Sequence, residues 1–486
     1  RRASNFLVTA PERSASGNSL AVMGPQLGYY YPEIVEQLDL HGPGINAQGV
    51  GVPGLAMYML IGRTQNYAWS LTSAGHDVRD VFAERLCEPN GKAPTRDSKH
   101  YRYKGECRAM QTFNAGTLGN TPLVYQTTVH GPVFATATVG GVPYAMSRAR
   151  STFGRDALNL IALKRMTEGE ADTPEHFWRT ADQFGFTFNW AYVSRAATAY
   201  FSSGRLPRRA QGLDRRLPTL GTGDYEWRGF LTQNEHPHDV SGPDGLLLNW
   251  NNRSAPGFMH GDDEPYGSVQ RVELFRRFPA SVKLTDNLGI MNLAATQDVR
   301  SPVWPLISRV LKSAPAPNAR DQQVEDLLDD WVRRDAPRLE ADGDGNYDEA
   351  GPVIMDAVFR PMVEAALSPV FGPLIPNLAD LRNLNGLEGA SYLDKDLRAL
   401  LGDPVEGPFN LAYCGGGLIA VCAESLWGAI HQAADALTTE LSQTDPSLWR
   451  KPAARSRFVP GILPDTFPST NRPTFQQVLE FDRNGP

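Results

Sequence analysis

Residues 4–30 read SNFLVTAPERSASGNSLAVMGPQLGYY, and this stretch decides the fold. Apolar residues run at strand length over residues 5–10 and again over 19–23, and a segment rich in Ser, Gly and charge separates them. Two such runs joined by a polar turn are typical of a β-hairpin. The hairpin would place Ser4, at the start of the first strand, beside Gly24-Pro25-Gln26 at the end of the second.

The composition is that of a globular protein with many turns. Apolar residues make up 41% of the 486, and Gly and Pro number 45 and 37. The net charge is −7 and no basic block occurs, so a nucleic acid partner is not expected. No apolar run approaches the roughly 18 residues that a membrane span needs. Arg1 and Arg2 are not followed by the apolar segment of a signal peptide, so any targeting segment would lie outside this chain.

The four cysteines fall into two local pairs, Cys87 with Cys107 and Cys414 with Cys422. An even number at such spacings suits two disulfides in an oxidising compartment. Four buried free thiols in a cytosolic enzyme are the alternative. The CxxC spacing of zinc sites and thioredoxin-like motifs is absent from the sequence.

Strand-like and helix-like segments occur in blocks along the chain, which favours an α+β fold over regular βαβ alternation. Further strands are predicted over residues 56–61, 67–71, 123–128, 142–146, 198–202 and 246–250. Helices are predicted over residues 156–166, 174–183, 267–278, 320–335, 352–367 and 424–441. A Pro/Ala-rich stretch at 313–318 predicts a linker, and strand-like segments resume near Phe409. We therefore expect a core over 1–310, a mainly helical insertion over 318–405 and a return to the core over 406–486.

Ser4 would need a base to act as a nucleophile, and the sequence has no GxSxG elbow to supply the usual setting. An α-amino group has a pKa near 8 and is partly neutral at working pH. A serine at a chain terminus can therefore use its own amine as the base.

Ordered sequence blocks over about 280 residues resemble the β-subunit of the penicillin acylase family, closest in motif to penicillin G acylases. The blocks are Ser4-Asn5, Gly24 to Tyr30, Leu40 to Gly44, Pro53-Gly54-Leu55, Trp69 to Leu86, Val129-His130-Gly131, Asn189-Trp190, Arg216-Leu217-Pro218, Gly221-Thr222-Gly223 and Asn249 to Asn252, with Arg271 some twenty residues further on. Each block alone is weak, but their shared order is specific. After residue 300 the resemblance is diffuse.

The resemblance implies the four-layer αββα sandwich of N-terminal-nucleophile hydrolases. It also implies autocatalytic cleavage between Ala3 and Ser4, so that residues 1–3 would be the tail of a spacer peptide. While they are attached, Ser4 has an amide nitrogen in place of an amine and the chain is a zymogen. An α-subunit from the same precursor would complete a heterodimer, and the protein would be periplasmic or secreted.

The resemblance assigns catalytic roles to five residues. Ser4 would be the nucleophile, and the oxyanion would be held by the backbone N–H of Ser73 and the side-chain amide of Asn251. Gln26 would hold the region of the serine amine. Arg271 matches a cation close to the active-site asparagine, and a salt-bridged helix residue is its alternative role.

A structural calcium ion is also implied, with oxygen ligands that suit this ion. The matching residues are Asp77, Arg79 through its carbonyl, Asp80, Pro207 through its carbonyl, and Asp262, with Asp263 as the alternative to Asp262. The alternative is that Asp80 only caps the chain or pairs with Arg85. No organic cofactor is expected.

The implied reaction is hydrolysis of a linear amide that carries a hydrophobic acyl group (class EC 3.5.1), as in penicillin-type acylases. Leu27 and Ile61 stand where penicillin G acylases tend to have aromatic rings in the acyl pocket. Aliphatic walls favour a less aromatic acyl chain, so acyl-homoserine lactones or lipopeptides are the alternative substrates. A non-catalytic binding homologue is the alternative of another class.

Overall fold

The computed structural model describes residues 3–54, 58–258, 267–372, 374, 384–405, 411–471 and 474–482. The chain divides into two compact units. The first comprises Arg1–Ile34, Leu248–Asn252 and Tyr266–Glu480, and the second comprises Val35–Leu247, Arg253–Pro265 and Phe481–Pro486. These bounds do not coincide with the predicted division at residues 310, 318 and 405, which stays a prediction.

The strands, in chain order, are β1 (Ala3–Thr9), β2 (Ser19–Gln26), β3 (Glu36–Gly42), β4 (Ile45–Gly51), β5 (Ile61–Thr64), β6 (Tyr67–Ser73), β7 (Arg79–Cys87), β8 (His100–Tyr103), β9 (Glu106–Ala109), β10 (Gln111–Leu118), β11 (Thr121–Thr128), β12 (Gly131–Val139), β13 (Val142–Arg150), β14 (Phe188–Ser194), β15 (Thr198–Ser202), β16 (Thr219–Leu220), β17 (His238–Val240), β18 (Leu246–Asn249), β19 (Arg455–Arg457), β20 (Thr466–Pro468) and β21 (Gln477–Phe481). The α-helices are α1 (Asn159–Thr167), α2 (Pro174–Ala181), α3 (Leu284–Thr296), α4 (Trp304–Leu311), α5 (Ala319–Arg333), α6 (Ala350–Phe371), α7 (Leu387–Leu401) and α8 (Ile419–Leu441).

The predicted hairpin of the first strands is confirmed. β1 and β2 pair in antiparallel register, with Ala3 opposite Gln26 and Ser4 opposite Pro25. They form the middle of a four-stranded sheet in the order β18-β1-β2-β21. Leu7 and Val22 share a buried apolar cluster with residues of α3, and α3 packs on β2. Because both central strands are buried, only one pairing register keeps their apolar side chains inside, and this fixes the position of the start of β1.

The second unit contains a seven-stranded sheet in the order β17-β15-β14-β6-β5-β4-β3. Helix α1 packs on β4 and β5, and helix α2 packs on β14 and β15. An eight-stranded sheet in the same unit has the order β10-β11-β12-β13-β7-β8-β9, with β16 beside β7. The predicted mixture of strands and helices in blocks is therefore confirmed as an α+β arrangement.

The helix predicted over residues 267–278 is wrong. Within it the chain forms one 3₁₀ turn, Arg271–Leu274, and no α-helix in the described residues. Leu274 and Phe275 are nevertheless buried against Trp250 and α3. Apolar residues on an irregular segment thus produced a spacing that imitates helical periodicity.

Helical structure also extends further than predicted. α3 and α4 were not predicted, whereas α7 lies in the stretch predicted to be mainly helical, and α8 confirms the helix predicted over residues 424–441 and begins five residues earlier. Phe409 itself lies outside the described residues. The helices α4 to α8 contribute to one large apolar core, which includes the buried residues Trp304, Trp331 and Phe359.

Both predicted disulfides are present, one joining Cys87 to Cys107 and the other joining Cys414 to Cys422. The alternative of four free thiols is therefore wrong. Among the described helices, none combines the length and the apolarity that crossing a bilayer requires.

A buried ionic group joins three of the sequence blocks in the second unit. His130 Nδ1 lies 2.7 Å from Glu84 Oε1, and His130 Nε2 lies 2.8 Å from Glu226 Oε1. Thr128 and Ser147 each donate a hydroxyl hydrogen bond to Glu84 Oε1. Each ring nitrogen of His130 faces a carboxylate oxygen, which can only accept a hydrogen bond. Both nitrogens therefore carry a proton and donate, so the imidazole is a cation.

The same group explains why a glycine stands at position 221. A Cβ atom built there would lie 2.0 Å from Glu84 Oε2, so any side chain would displace the buried carboxylate. Burial lowers the pKa of His130, but the hydrogen bonds and charges of Glu84 and Glu226 more than offset this. The net result is a pKa above the usual value.

We expect the stability of the protein to fall as pH rises through the folded-state pKa of His130. That pKa is raised, so the stabilising proton is fully bound below the unfolded-state value near 6.5 and is lost at higher pH. The melting temperature should therefore fall as pH rises above about 6.5, and His130→Gln should flatten that slope. His176→Gln, which alters an exposed histidine paired with Asp172, is the control. An unchanged slope in His130→Gln would contradict the assignment.

Candidate active site

Ser4 lies at the start of β1 with its backbone N–H directed at a side chain from the segment after β18. The N–H donates to Asn251 Oδ1 over 3.1 Å, although 247 residues separate the two in sequence. Ser4 is buried, with 7% of its surface exposed. The structure thus brings the predicted nucleophile together with one of the two predicted oxyanion donors.

The amide of Asn251 is held in one orientation. Its Oδ1 also accepts a hydrogen bond from Arg271 Nη2 over 2.8 Å. Two donors on the oxygen fix which end of the amide is the acceptor, so Nδ2 lies on the opposite side of the group. Asn251 has φ of +63°, and asparagine is one of the residues that tolerate this left-handed region. Strained residues of this kind cluster at functional sites.

Arg271 connects Asn251 to Gln26. Its Nη1 donates to Gln26 Oε1 over 3.4 Å, and its guanidinium carbon lies 5.2 Å from the ring centre of Trp250. Trp250 Nε1 donates to the same Gln26 oxygen over 2.7 Å, and its ring stacks on Phe275. Arg271 therefore bridges Asn251 and Gln26, and its catalytic role stays a prediction.

The segment before β21 completes the surroundings of Gln26. Gln26 Nε2 donates to the carbonyl oxygen of Asn471, 445 residues away in sequence. Thr474 bonds the carbonyl of Pro25 through both its N–H, at 2.9 Å, and its hydroxyl, at 3.0 Å. The hydroxyl also accepts from the N–H of Leu27 over 3.3 Å. Sequence reasoning missed Trp250, Asn471 and Thr474 as site residues; Trp250 already stood in a quoted block.

The other predicted residues are placed as follows. Ser73 is the last residue of β6, in the second unit, and lies opposite Phe188 on β14. Leu27 is half-buried beside the segment that holds Gln26. Ile61, the first residue of β5, has no exposed surface. The acyl-pocket role of Leu27 and Ile61 stays a prediction.

The predicted calcium ligands Asp77 and Asp80 already hold a cation from the protein itself. Arg209 Nε lies 3.0 Å from Asp80 Oδ1 and 2.8 Å from Oδ2, and Arg209 Nη2 pairs with Asp77 Oδ2. Asp80 Oδ2 also accepts from the indole of Trp227, and Asp77 Oδ1 accepts from the backbone N–H of Arg79. Sequence reasoning missed Arg209.

These residues do not fit the predicted calcium site, because both carboxylates are already paired with the Arg209 guanidinium. Calcium would have to displace a guanidinium that has only 11% of its side chain exposed. Pro207 is buried, and its backbone bridges to Phe230. Asp262 and Asp263 lie outside the described residues. The alternative pairing of Asp80 with Arg85 is replaced by the pairing with Arg209.

Comparison with known proteins identifies the family. The family model described as penicillin amidase matches residues 1–463, so the chain belongs to the penicillin amidase family. The chain is similar to Penicillin G acylase of Escherichia coli, with 26% identity over 371 residues that cover 74% of this chain and 42% of the relative. It is also similar to Acyl-homoserine lactone acylase QuiP of Pseudomonas fluorescens (strain Pf0-1), with 27% identity over 52% of this chain and 31% of the relative.

The fold matches a solved structure of the same family. The thermostable Penicillin G acylase from Alcaligenes faecalis superimposes with a TM-score of 0.81 at 22% identity, covering 98% of this chain and 88% of that chain. The predicted N-terminal-nucleophile hydrolase fold is therefore confirmed, and the order of its layers stays a prediction. The chain spans less than half the length of the curated relatives described above.

We expect Arg209, and not calcium, to neutralise the pair Asp77 and Asp80. Arg209→Gln leaves two buried carboxylates without their partner and should destabilise the protein by about 3–5 kcal/mol. Calcium chelation with EGTA should leave the melting temperature of the wild type unchanged.

The matched control is the neighbouring Arg208→Gln, because Arg208 pairs with Glu235 at the surface, with 42% and 38% of the two side chains exposed. That variant should lose at most about 1 kcal/mol. If the melting temperature falls on chelation and recovers with added calcium, the prediction for Arg209 is wrong and the predicted calcium site is supported.

Proposed function

We propose that this protein is the catalytic chain of an amidohydrolase that cleaves a linear amide with a hydrophobic acyl group through an acyl-enzyme on Ser4. The observation that carries the proposal is the contact of Ser4 N–H with Asn251 Oδ1, made while Arg271 holds the same oxygen. Membership of the penicillin amidase family supports it. The chain would act with an α-subunit from the same precursor, in the periplasm or outside the cell.

The proposed reaction begins with removal of the residues before Ser4. Until that peptide bond is cut, the Ser4 nitrogen is an amide and cannot accept a proton. The freed α-amine, with a pKa near 8, takes the hydroxyl proton through a water molecule. Ser4 Oγ then forms a bond to the carbonyl carbon of the substrate amide, and the carbonyl oxygen becomes an oxyanion.

The oxyanion requires donors that are already in place before the reaction. Asn251 Nδ2 and the backbone N–H of Ser73 are proposed for this role. The orientation of the Asn251 amide supports the first assignment, because Ser4 and Arg271 occupy its oxygen. Gln26 and Arg271 position the asparagine and the serine and do not themselves react.

The tetrahedral intermediate then collapses. The bond between carbonyl carbon and amide nitrogen breaks, and the proton held by the α-amine goes to the leaving amine. The acyl group stays on Ser4 until water, deprotonated by the same α-amine, attacks the ester carbon. The bond between that carbon and Ser4 Oγ then breaks, the α-amine returns its proton to Oγ, and the carboxylic acid leaves. Each of the two steps uses the same oxyanion donors.

Acyl-homoserine lactones are the second candidate substrate class. Curated relatives named Acyl-homoserine lactone acylase match 52% and 69% of this chain at 27% and 25% identity. Leu27 and Ile61 are aliphatic at the two predicted pocket positions, which would suit an alkyl chain. The bond cut would again be a linear amide, so the mechanism on Ser4 would be unchanged.

The function is tested on the full-length precursor produced with its natural flanking sequence. Intact mass should show a chain that begins at Ser4, and Ser4→Ala should prevent both the cut and all turnover. Ser16→Ala, which alters an exposed serine of the β1–β2 turn, is the control and should behave as wild type. Phenylacetyl and octanoyl amides of one chromogenic amine are then compared.

Preference for the octanoyl amide would favour the second candidate over a penicillin-type acylase. A correctly cut protein that hydrolyses neither amide would remove the hydrolase proposal and favour a binding homologue.

Asn251→Asp separates the two ends of the asparagine side chain. The aspartate keeps an acceptor for Ser4 N–H and Arg271 but has no Nδ2 donor for the oxyanion. We expect kcat to fall by roughly 100–1000-fold with little change in melting temperature, the size found when one oxyanion donor is removed. Asn252→Asp is the control, since Asn252 Oδ1 accepts from the N–H of Trp250 and the variant keeps this acceptor. Undiminished kcat in Asn251→Asp would disprove the oxyanion role.

A further inference from the structure

A buried polar network in the second unit involves a histidine that has no role in the proposed reaction. His76 Nε2 lies 2.6 Å from Ser202 Oγ and 3.1 Å from Ser254 Oγ. The two serine hydroxyls are themselves 2.9 Å apart. His76 and Ser202 are buried, with 5% and no exposed surface.

Asn189 on β14 closes the network. Its Oδ1 accepts hydrogen bonds from Ser254 Oγ at 2.7 Å, Ser202 Oγ at 3.0 Å and the Tyr200 hydroxyl at 2.6 Å. Ser254 therefore contacts three polar groups, and two of these lie on the neighbouring strands β14 and β15. A buried network in which the members are bonded to each other fixes its components in one geometry.

The network lies close along the chain to both proposed oxyanion donors. His76 follows Ser73 by three residues, and Ser254 follows Asn251 by three residues. Three residues span at most roughly 10 Å, so each anchor lies within that distance of the donor near it in sequence.

The segment that carries Asn251 needs such an anchor. Residues 250–258 are all described, and none belongs to a helix or a strand. Asn251 itself has a positive φ, a conformation that persists only when its surroundings impose it. Ser254 ties this irregular segment to the sheet, and Phe258 packs its ring edge-on against His76 at 5.2 Å.

We propose that His76 and Ser254, held by Asn189 and Ser202, form a positioning pair that holds in place the two chain segments carrying the oxyanion donors during acyl transfer. The pair does not touch the substrate. This inference rests on the proposed hydrolase function, and it adds residues to which that function assigns no role.

The test measures kcat and KM of the cleaved wild type and variants with the better of the two chromogenic amides. Active sites are counted with phenylmethylsulfonyl fluoride, so that kcat refers only to competent enzyme. We expect His76→Leu and Ser254→Ala to lower kcat by about tenfold, with KM within about twofold, because misplaced donors weaken transition-state binding alone. Since Ser254→Ala keeps the imidazole, the test does not depend on the folding of His76→Leu.

Two conservative variants at position 76 test whether the polar atom at the place of Nε2 is the one that matters. The side-chain end of glutamine reaches the place of imidazole Nε2, whereas that of asparagine reaches only the place of Nδ1. His76→Gln should therefore keep most of the wild-type kcat, and His76→Asn should lose about as much as His76→Leu.

Ser203→Ala is the control for a purely structural loss. Ser203 is a buried neighbour of Ser202 whose hydroxyl bonds Trp190 Nε1 and the carbonyl of Phe186, away from His76. This variant should lower the melting temperature without lowering kcat.

The inference is overturned if the wild type is active and His76→Leu and Ser254→Ala match Ser203→Ala in keeping full kcat. It is also overturned if His76→Gln and His76→Asn lose kcat equally. A correctly cut wild type that hydrolyses neither amide overturns the proposed function, and the inference with it.

Discussion

The candidate site depends on one acceptor atom. Asn251 Oδ1 takes a hydrogen bond from the first strand through Ser4 and another from Arg271. Arg271 in turn reaches Gln26 at the end of the second strand. The same oxygen thus links both strands of the hairpin to the segment after β18, and it fixes the orientation of the amide that carries it. Shortening Arg271 would remove its link between Asn251 and Gln26, while Ser4 would keep its direct contact with Asn251.

The sequence predicted the hairpin, and with it the closeness of Ser4 to the Gln26 region, because both follow from local sequence patterns. Two apolar runs with a polar turn between them define the pairing, and burial of the strands leaves one register that keeps the apolar faces inside. Ser4 and Gln26 therefore came together as expected. The roles of Asn251 and Arg271 were predicted only from the family resemblance. No local sequence pattern predicts a contact between residues that are 247 positions apart, as Ser4 and Asn251 are.

The errors have a common physical cause, which is that tertiary burial overrides local patterns. The apolar residues at 274 and 275 fill the core around Trp250 from an irregular segment, so their spacing predicted a helix that does not exist. The resemblance implied a calcium ion at Asp77 and Asp80, and Arg209, more than 120 residues away in sequence, pairs with both carboxylates. A carboxylate pair in a sequence carries no sign of whether its cation will be an ion or an arginine.

The anchoring of Gln26 has a consequence for the timing of synthesis. The hairpin that carries Ser4 is made before Asn471 and Thr474, which hold the end of its second strand and lie some 445 residues further along the chain. At 5–20 residues per second, this separation corresponds to roughly 20–90 s of translation. Throughout that interval the nascent chain carries Ser4 without the contacts that complete its surroundings. The surroundings of Gln26 are therefore complete only after Asn471 and Thr474 have been synthesised, well after Ser4 itself.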